Sequence, residues 1–372
     1  MLLNEEQQAL ADTLASLFDE LSPATRAREL RDERSEQGYD VALWQQLCEM
    51  GLPCAVADER NGGFGFGYLG MGAAFIEGGR RLVSSPLLSV SILSTGLLEA
   101  LASTEQQSEL LGPILSGEKV MTLAHDESPH YPGLELHTRV TATDGGWCIS
   151  GRKSMVTDGH VADTLLVSAR PDEGDCVVLM VDANAPGVVV ERRFLIDGRN
   201  YADISFDNVT VPANARLADS SDSTVALSNV LDRATICTSA EMLGLAEAVF
   251  EKTIEYLKVR KQFGVAIGSF QALQHRCAKL FVELQMLRSV VLDALQAIDD
   301  NRRDLPIVAS QAKSMANTAV ESVTNEAVQL HGGIGVTDEL DIGLFLKRGR
   351  VCRRQFGDTA FHNDRYARLS GF

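Results

Sequence analysis

The chain has 372 residues, of which 45% are hydrophobic and 23% charged, enough for two or three globular domains with substantial cores. Its 51 acidic and 34 basic residues give a formal net charge of −17, which disfavours nucleic acid or an anionic membrane surface as the main partner. No run of 18 apolar residues predicts a membrane span, and the first residues lack the pattern of a signal peptide, so we expect a cytoplasmic protein.

Cysteine and histidine usage predicts neither disulfides nor a metal site. The seven cysteines are scattered without a Cys-x-x-Cys pair, which is typical of reduced thiols in a cytosolic protein. The seven histidines show no His-x-x-x-His spacing and no adjacent cysteines, so the pattern offers no zinc ligand set.

Residues 1–118 are predicted to be helical. Asn4 precedes two glutamates and a series of leucines at helical spacing, as expected for the N-cap of a first helix. The glycine near the end of ALWQQLCEMGL is typical of a helix C-terminus. The stretch NGGFGFGYLG resembles a phosphate-binding loop only in its glycines, because no strand precedes it, and we interpret it as a connecting loop.

Residues 119–220 change to short β-branched runs separated by Gly, Asp, Asn and Pro. Such alternation predicts an antiparallel sheet domain. The segment TDGG, at 143–146, is a strong signal for a β-hairpin.

Residues 221–372 are predicted to be helical again, with long segments at 222–259, 268–301 and 306–331 and shorter ones at 338–349 and 358–368. Long antiparallel helices of this kind form a bundle. The predicted fold is therefore a multidomain α+β chain, with an N-terminal helical domain, a middle antiparallel β domain and a C-terminal four-helix bundle.

Several segments, in this order of domains, resemble the acyl-CoA dehydrogenase superfamily over essentially the full chain. They are WCISGRKSMVTDGHVAD (147–163), FDNVTVPANARL (206–217), GLAEAVFEKTIEYLKVRKQFG (244–264), IGSFQALQHRCA (267–278) and AVQLHGGIGVTDE (327–339). The resemblance implies an FAD-dependent enzyme that desaturates an acyl-CoA thioester and is reoxidised by an electron-transfer flavoprotein. It also implies a dimer of dimers, because members of this family contact the flavin of a neighbouring subunit.

Residues in these segments have the chemistry that a flavin dinucleotide needs. Arg260 can bind pyrophosphate through two hydrogen bonds, and Phe263 offers a flat apolar face to an aromatic ring. Taken singly, they also fit a helix-terminal arginine and a core phenylalanine. The resemblance assigns FAD contacts to a larger set in the middle and C-terminal domains. The set is Met155, Val156, Thr157, Arg260, Gln262, Phe263, Gln271, Gln329, Gly332, Gly333 and Thr359.

Two family features are altered in this sequence. The β-domain loop that normally reads Thr-Glu-Pro followed by Gly-Ser-Asp is LAHDESPHYPGLELHT (123–138), and only Asp126, Glu127 and Ser128 partly match its start. The C-terminal Tyr-Glu-Gly-Thr, whose glutamate is the family's usual base, is replaced by FGDT (356–359). Glycine cannot remove the α-proton of a thioester, so the general base must come from elsewhere.

Gly357 stands at the position of that glutamate, and the sequence offers three carboxylates or a partner chain as the source of the base. Glu241 lies among Ala, Met, Leu and Gly, where a charge is costly unless it works in the reaction or is paired. Asp358 is the next residue after the altered position. Asp232 is either a base or the ion-pair partner of Arg233, and both residues are also assigned to substrate binding.

Three functions stay open at this point. The first is an acyl-CoA dehydrogenase that acts alone or as the small subunit of a heteromeric pimeloyl-CoA- or steroid-CoA-type enzyme, which the segments 79–88 and 356–369 resemble. The second is a related flavin oxidase, and the third is a non-catalytic subunit of the same fold. We adopt the first, because the flavin-contacting set is intact.

Overall fold

The structure is a computed structural model that describes residues 3–128, 130–131, 133–217 and 223–372. Its α-helices are α1 (Glu5–Leu21), α2 (Ala24–Glu33), α3 (Val41–Glu49), α4 (Tyr68–Arg81), α5 (Thr95–Leu101), α6 (Thr104–Leu115), α7 (Ser223–Val259), α8 (Gln271–Asp299), α9 (Leu305–His331), α10 (Ile342–Cys352) and α11 (Thr359–Leu369). Its strands are β1 (Met121–Ala124), β2 (Arg139–Thr143), β3 (Gly146–Thr157), β4 (Thr164–Pro171), β5 (Val177–Asp182), β6 (Val188–Phe194), β7 (Asn200–Pro212), β8 (Arg216–Leu217), β9 (Lys261–Gln262) and β10 (Val265–Ala266). Among the residues described, no helix has the length and apolarity to cross a membrane.

The first helix begins where the sequence predicts. The Asn4 side chain accepts a hydrogen bond from the Gln7 backbone N–H at 2.8 Å, and the Gln7 side chain accepts from the Asn4 N–H at 3.0 Å. This reciprocal capping box satisfies two amides that the helix itself leaves free. Helix α3 ends before Gly51, which has a φ of +73°, so the predicted glycine signal is confirmed.

One compact unit contains the chain up to Glu33, Tyr68–Ser84 and Thr235–Phe372. In this unit α9 packs against α8, α10 and α11, and α4 packs against α1 and α8. The buried face of α9 is rich in alanine, which lets its neighbours approach closely. Two of the polar residues of that face, Lys313 and Asn317, are fully buried.

The second unit contains Arg34–Gly67 and Ser85–Ala234. Its sheet has the strand order β6-β7-β3-β2-β4-β5-β8, and β1 lies against β4. The predicted TDGG hairpin joins β2 to β3, with Thr143 opposite Gly146. Antiparallel pairing dominates as predicted, but β4 pairs in parallel with both β1 and β2. The predicted domain boundary at 118/119 lies inside this unit and that at 220/221 lies outside the described residues, so the three-domain division stays a prediction.

Candidate functional site

A short hairpin between α7 and α8 presents an aromatic ring to solvent. Strands β9 and β10 are joined by Phe263 and Gly264, whose φ angles of +52° and +83° suit a two-residue type I′ turn. A positive φ is rare for a bulky residue and points to a function rather than to packing. Phe263 is 89% exposed, so it is not a core residue. Its ring lies edge-on to the Phe270 ring, with 6.1 Å between the ring centroids.

An apolar cluster of Leu257, Cys277 and Leu330 lies beneath this hairpin. The Tyr256 ring stacks on the His331 ring at 4.3 Å, and its hydroxyl donates to the His331 carbonyl at 3.3 Å. The end of α7, the first turns of α8 and the end of α9 therefore meet at one place. They carry seven residues of the predicted set, namely Arg260, Gln262, Phe263, Gln271, Gln329, Gly332 and Gly333.

These seven residues are exposed and open to a ligand. In the part of the chain that the structure describes, no hydrogen bond or ion pair engages the guanidinium of Arg260. Gly332 has a φ of +66° and a ψ of −145°, which L side chains rarely adopt, and a Cβ there would meet no atom within 4 Å. A guanidinium without a partner among the described residues and a backbone open to a ligand both suit the pyrophosphate of FAD.

The predicted FAD contacts of the middle domain, Met155, Val156 and Thr157, lie at a β-bulge. The pairing of β3 with β7 shifts register between Lys153 and Val156, and Met155 in the shift has a φ of +56°. Asp203 holds the bulge by accepting from the Met155 N–H at 3.2 Å. Val156 is buried, whereas Met155 and Thr157 are partly exposed, so the bulge aims these two side chains away from the regular sheet.

The altered loop after β1 does not fit a phosphate group. The Glu127 carboxylate accepts from the backbone N–H groups of His137 at 2.5 Å and Thr138 at 2.9 Å. The Lys153 ammonium, which is fully buried, donates to the same carboxylate at 2.7 Å and to the His125 carbonyl at 3.0 Å. The donors of this loop are thus taken by the chain's own anion, and we assign no pyrophosphate contact to it.

The backbone at Gly357 leaves no room for the glutamate that the family usually has there. Its φ is +109°, and a Cβ would lie 2.7 Å from the Phe361 ring and 2.8 Å from Nε2 of His362. The His362 ring donates from that nitrogen to the Phe356 carbonyl at 2.8 Å. The space that a side chain at this position needs is therefore filled, and only glycine fits the local conformation.

Asp358, one of the candidate bases, is the N-cap of α11. One carboxylate oxygen accepts from the Phe361 N–H at 3.0 Å, and the other accepts from Arg354 at 3.1 Å. Both oxygens therefore have donors, which disfavours proton abstraction by this residue. The neighbouring Thr359 begins α11 and is partly exposed, so its predicted contact with FAD stays a prediction.

Glu241, the other leading candidate, is paired rather than free. Its side chain is 8% exposed, and its two oxygens accept from Nε and Nη2 of Arg348, both at 2.8 Å. Of the two alternatives that the sequence left open for this acid, a working charge or a paired one, the structure shows the pair. A bidentate guanidinium stabilises the carboxylate form, so Glu241 is a poor acceptor for an α-proton.

Asp232 and Arg233 lie in α7, within the second unit. Asp232 is 2% exposed and Arg233 is partly buried, and both take part in interactions with other groups. Their roles in substrate binding, and that of Asp232 as a base, stay predictions.

We expect the chain to lose stability in acid because of His362. Burial, with the nearby charge of Lys313, lowers the pKa of His362 to about 3 from an ordinary 6.5. The folded state therefore needs the neutral ring, and its contribution to stability is present above pH 6.5 and is lost as the pH falls towards 3. At pH 5 the free energy of unfolding should drop by about 2 kcal/mol relative to pH 7. Urea unfolding should show a flatter pH dependence in His362→Gln, and an unchanged slope would contradict this origin.

Comparison with known proteins identifies the family of this site. Three family domain models match the chain, namely "Acyl-CoA dehydrogenase, N-terminal domain" at residues 4–118, "Acyl-CoA dehydrogenase, middle domain" at 131–209 and "Acyl-CoA dehydrogenase, C-terminal domain" at 223–369. The chain belongs to the acyl-CoA dehydrogenase family. Its activity is therefore that of an FAD-dependent oxidoreductase, and the predicted superfamily, fold class and cofactor are confirmed.

Similar acyl-CoA dehydrogenases match along nearly the whole chain. The acyl-CoA dehydrogenase IpdE2 of Mycobacterium tuberculosis is 32% identical, over 92% of this chain and 91% of its own length. A chain of the ChsE4-ChsE5 complex from Mycobacterium tuberculosis is 27% identical with a TM-score of 0.91, covering 100% of this chain and 99% of its own. A chain of a Tcur3481-Tcur3483 steroid ACAD variant is 28% identical with a TM-score of 0.89, and covers 98% of both chains.

Three residues next to the acyl-CoA dehydrogenase C-terminal motif were missed by the sequence reasoning. They are Lys313, Asn317 and His362, which are at most 1% exposed and hydrogen-bond to the segment that holds Gly357. A usable signal was present in α9. Lys313 and Asn317 are four residues apart and continue the helical spacing of buried alanines, so polar side chains stood at core positions.

Proposed function

We propose that this chain is one subunit of a heteromeric acyl-CoA dehydrogenase and that a partner chain supplies the general base. The observation that carries the proposal is the conformation at Gly357, where the φ of +109° and the His362 ring exclude a side chain. The frame of the catalytic motif is present in this subunit, but its position for the base is closed. Two of the solved structures similar to this chain are complexes whose names give two proteins.

The other carboxylates of this chain support the same proposal. Glu241 is paired with Arg348, and Asp358 caps α11, so neither is free to accept a proton. Glu127 accepts hydrogen bonds from the backbone N–H groups of the altered β-domain loop that could otherwise bind an anion. Most of the predicted FAD contacts thus lie at the hairpin between α7 and α8 and at the adjoining helix ends. The middle domain contributes fewer, because the donors of its altered loop are occupied.

The reaction breaks two C–H bonds, at the α-carbon and the β-carbon of the acyl group. A base would take the α-proton, and bound FAD would supply the acceptor for the hydride that leaves the β-carbon. Arg260 of this chain would hold the pyrophosphate of a neighbouring subunit's FAD, Phe263 would lie against an aromatic ring of that FAD, and the Gly332–Gly333 backbone would approach it closely. Thr157, in the middle domain, would hydrogen-bond the polar edge of a flavin ring.

The substrate and partners follow from the same proposal. The substrate class is an acyl-CoA thioester, and the steroid ACAD among similar structures supports a bulky polycyclic acyl group as the first choice to test. We propose an electron-transfer flavoprotein as the oxidant, a dimer of dimers as the assembly, and the cytoplasm as the location.

The test compares the chain purified alone with the chain co-produced with a candidate partner from the same organism. Visible spectra would be recorded during anaerobic titration with short, long and steroid-derived acyl-CoA thioesters. We expect bleaching of bound flavin only in the complex. Bleaching by the chain alone would overturn the proposal, because it would require a base within this chain, and oxygen uptake without an added acceptor would indicate an oxidase instead.

Arg260→Gln should lower the FAD content of the complex without unfolding it. The guanidinium is exposed and has no partner among the described residues, so its loss removes only the contact with the cofactor. A charge-assisted bidentate contact contributes about 1.5–3 kcal/mol, which corresponds to roughly 10- to 100-fold weaker FAD binding. The matched control is Arg303→Gln, an exposed arginine in the turn before α9, which should leave FAD binding unchanged.

A further inference from the structure

Lys313 is a fully buried lysine whose partners are neutral. Its ammonium donates to Asn317 Oδ1 at 2.9 Å, to the Cys352 carbonyl at 3.0 Å and to the Gly357 carbonyl at 3.0 Å. Asn317, which is also fully buried, donates to the Gly357 carbonyl at 3.4 Å. Each of the three N–H groups of the ammonium therefore has an acceptor, and two of these are backbone carbonyls, one at the end of α10 and one within the altered motif.

We propose that Lys313 is the positioning residue of the C-terminal turn, which we define as residues 353–358. It ties the end of α10 to Gly357 and thereby fixes where Asp358 caps α11 and where Thr359 faces the cofactor. The inference rests on the proposed function for its link to FAD, but the geometry of the turn stands without it.

The end of α10 favours a cation at this site, whereas burial opposes it. Cys352 is the last residue of α10, so its carbonyl lies at the negative end of the helix dipole. Four titratable or charged side chains interact with the ammonium or face it, namely Cys352 from α10, Arg353 and Asp358 from the turn, and His362 from α11. Burial lowers the pKa of Lys313 to about 7 from its ordinary 10.5, so the ammonium and the amine coexist near neutral pH.

The depressed pKa sets the sign of the pH dependence. An opening of the turn that hydrates Lys313 restores an ordinary pKa, so the open state binds more protons than the closed state between about pH 7 and pH 10.5. Opening therefore becomes less favourable as the pH rises through this window, by up to about tenfold per pH unit. Below pH 7 both states carry the proton, and this dependence disappears.

Hydrogen exchange of the peptide 353–362, followed by mass spectrometry and normalised to intrinsic rates, tests the inference in the full chain. In the wild type we expect the protection of these amides to rise between pH 7 and pH 9. Lys313→Met should lower the protection about tenfold or more and remove its pH dependence, because it removes the hydrogen bonds that Lys313 donates to the Cys352 and Gly357 carbonyls. Equal protection or an equal pH slope in the variant would overturn the proposal.

Two further variants keep the test decisive. Glu127→Gln with Lys153→Met removes the other fully buried lysine together with its carboxylate, and should leave the exchange of 353–362 unchanged. Should Lys313→Met fail to fold, Asn317→Leu removes one acceptor and should start the rise in protection at a lower pH. An unchanged onset in Asn317→Leu would count against the proposal.

The link to the cofactor is tested separately in the complex. Lys313→Met and Thr359→Val should both weaken FAD binding, but only Lys313→Met should change the exchange of the turn. A complex in which the wild type binds no FAD would refute the proposed function and leave the exchange result valid. FAD binding unaffected by Lys313→Met would refute the positioning role.

Discussion

Replacing Gly357 with glutamate is expected to destabilise the chain and to restore no activity, although it recreates the family's usual residue. The backbone φ of +109° is unfavourable for any L side chain, and the new Cβ would lie 2.8 Å from the His362 ring. Strain of this kind and overpacking each cost about 1–3 kcal/mol, so the free energy of unfolding should fall by roughly 2–5 kcal/mol. Urea unfolding of the wild type and the variant measures this difference.

The control for this substitution lies on the same unit. Gly343 is in α10, and a Cβ there would meet no atom within 4 Å, so Gly343→Glu should change stability by less than about 1 kcal/mol. Anaerobic titration of Gly357→Glu without a partner should leave any bound flavin oxidised. A stable Gly357→Glu variant that bleaches with acyl-CoA would show that the turn accepts a base after all.

Breaking the pair of Glu241 and Arg348 should have the largest effect on stability. The two side chains are 8% and 5% exposed, so Arg348→Met leaves a carboxylate buried without its partner. Removing one member of a buried pair costs about 3–5 kcal/mol, whereas replacing both by apolar residues is often close to neutral. Urea unfolding should therefore show severe losses in Arg348→Met and Glu241→Leu, and recovery in the double variant.

The double variant also separates a structural role from a catalytic one. If Glu241 only pairs with Arg348, the refolded Glu241→Leu/Arg348→Met chain should still support bleaching of flavin in the complex. A double variant that folds, binds FAD and never bleaches would identify Glu241 as the base. Additive losses in the two single variants would instead show that the side chains do not interact.

Local signals in the sequence were sufficient for several elements of the fold. The capping box at Asn4 and the TDGG hairpin depend on neighbouring residues alone, and both form as predicted. The parallel pairing of β4 with β1 and β2 depends on strands that meet across long separations, which no local pattern encodes.

The same distinction holds at the candidate site. The exposed hairpin set follows from short motifs, but the partner of Glu241 lies 107 residues further along the chain. For Asp358 a local signal was present but was not used. An acid just before a helix is typical of an N-cap, whereas the residue was interpreted only as a candidate base. The close approach of Phe361 and His362 to Gly357 depends on how α11 packs, which no local pattern predicts.

Among the described residues, each compact unit contains one fully buried lysine, whose reactivity can report when that unit opens. Lys153 lies in the unit with the β-sheet and Lys313 in the helical unit, and neither exposes side-chain surface. An amine-acylating reagent should therefore spare both in the native chain while it modifies surface lysines such as Lys252 and Lys258. Acylation of one buried lysine before the other during heating or denaturant titration would reveal which half of the molecule opens first.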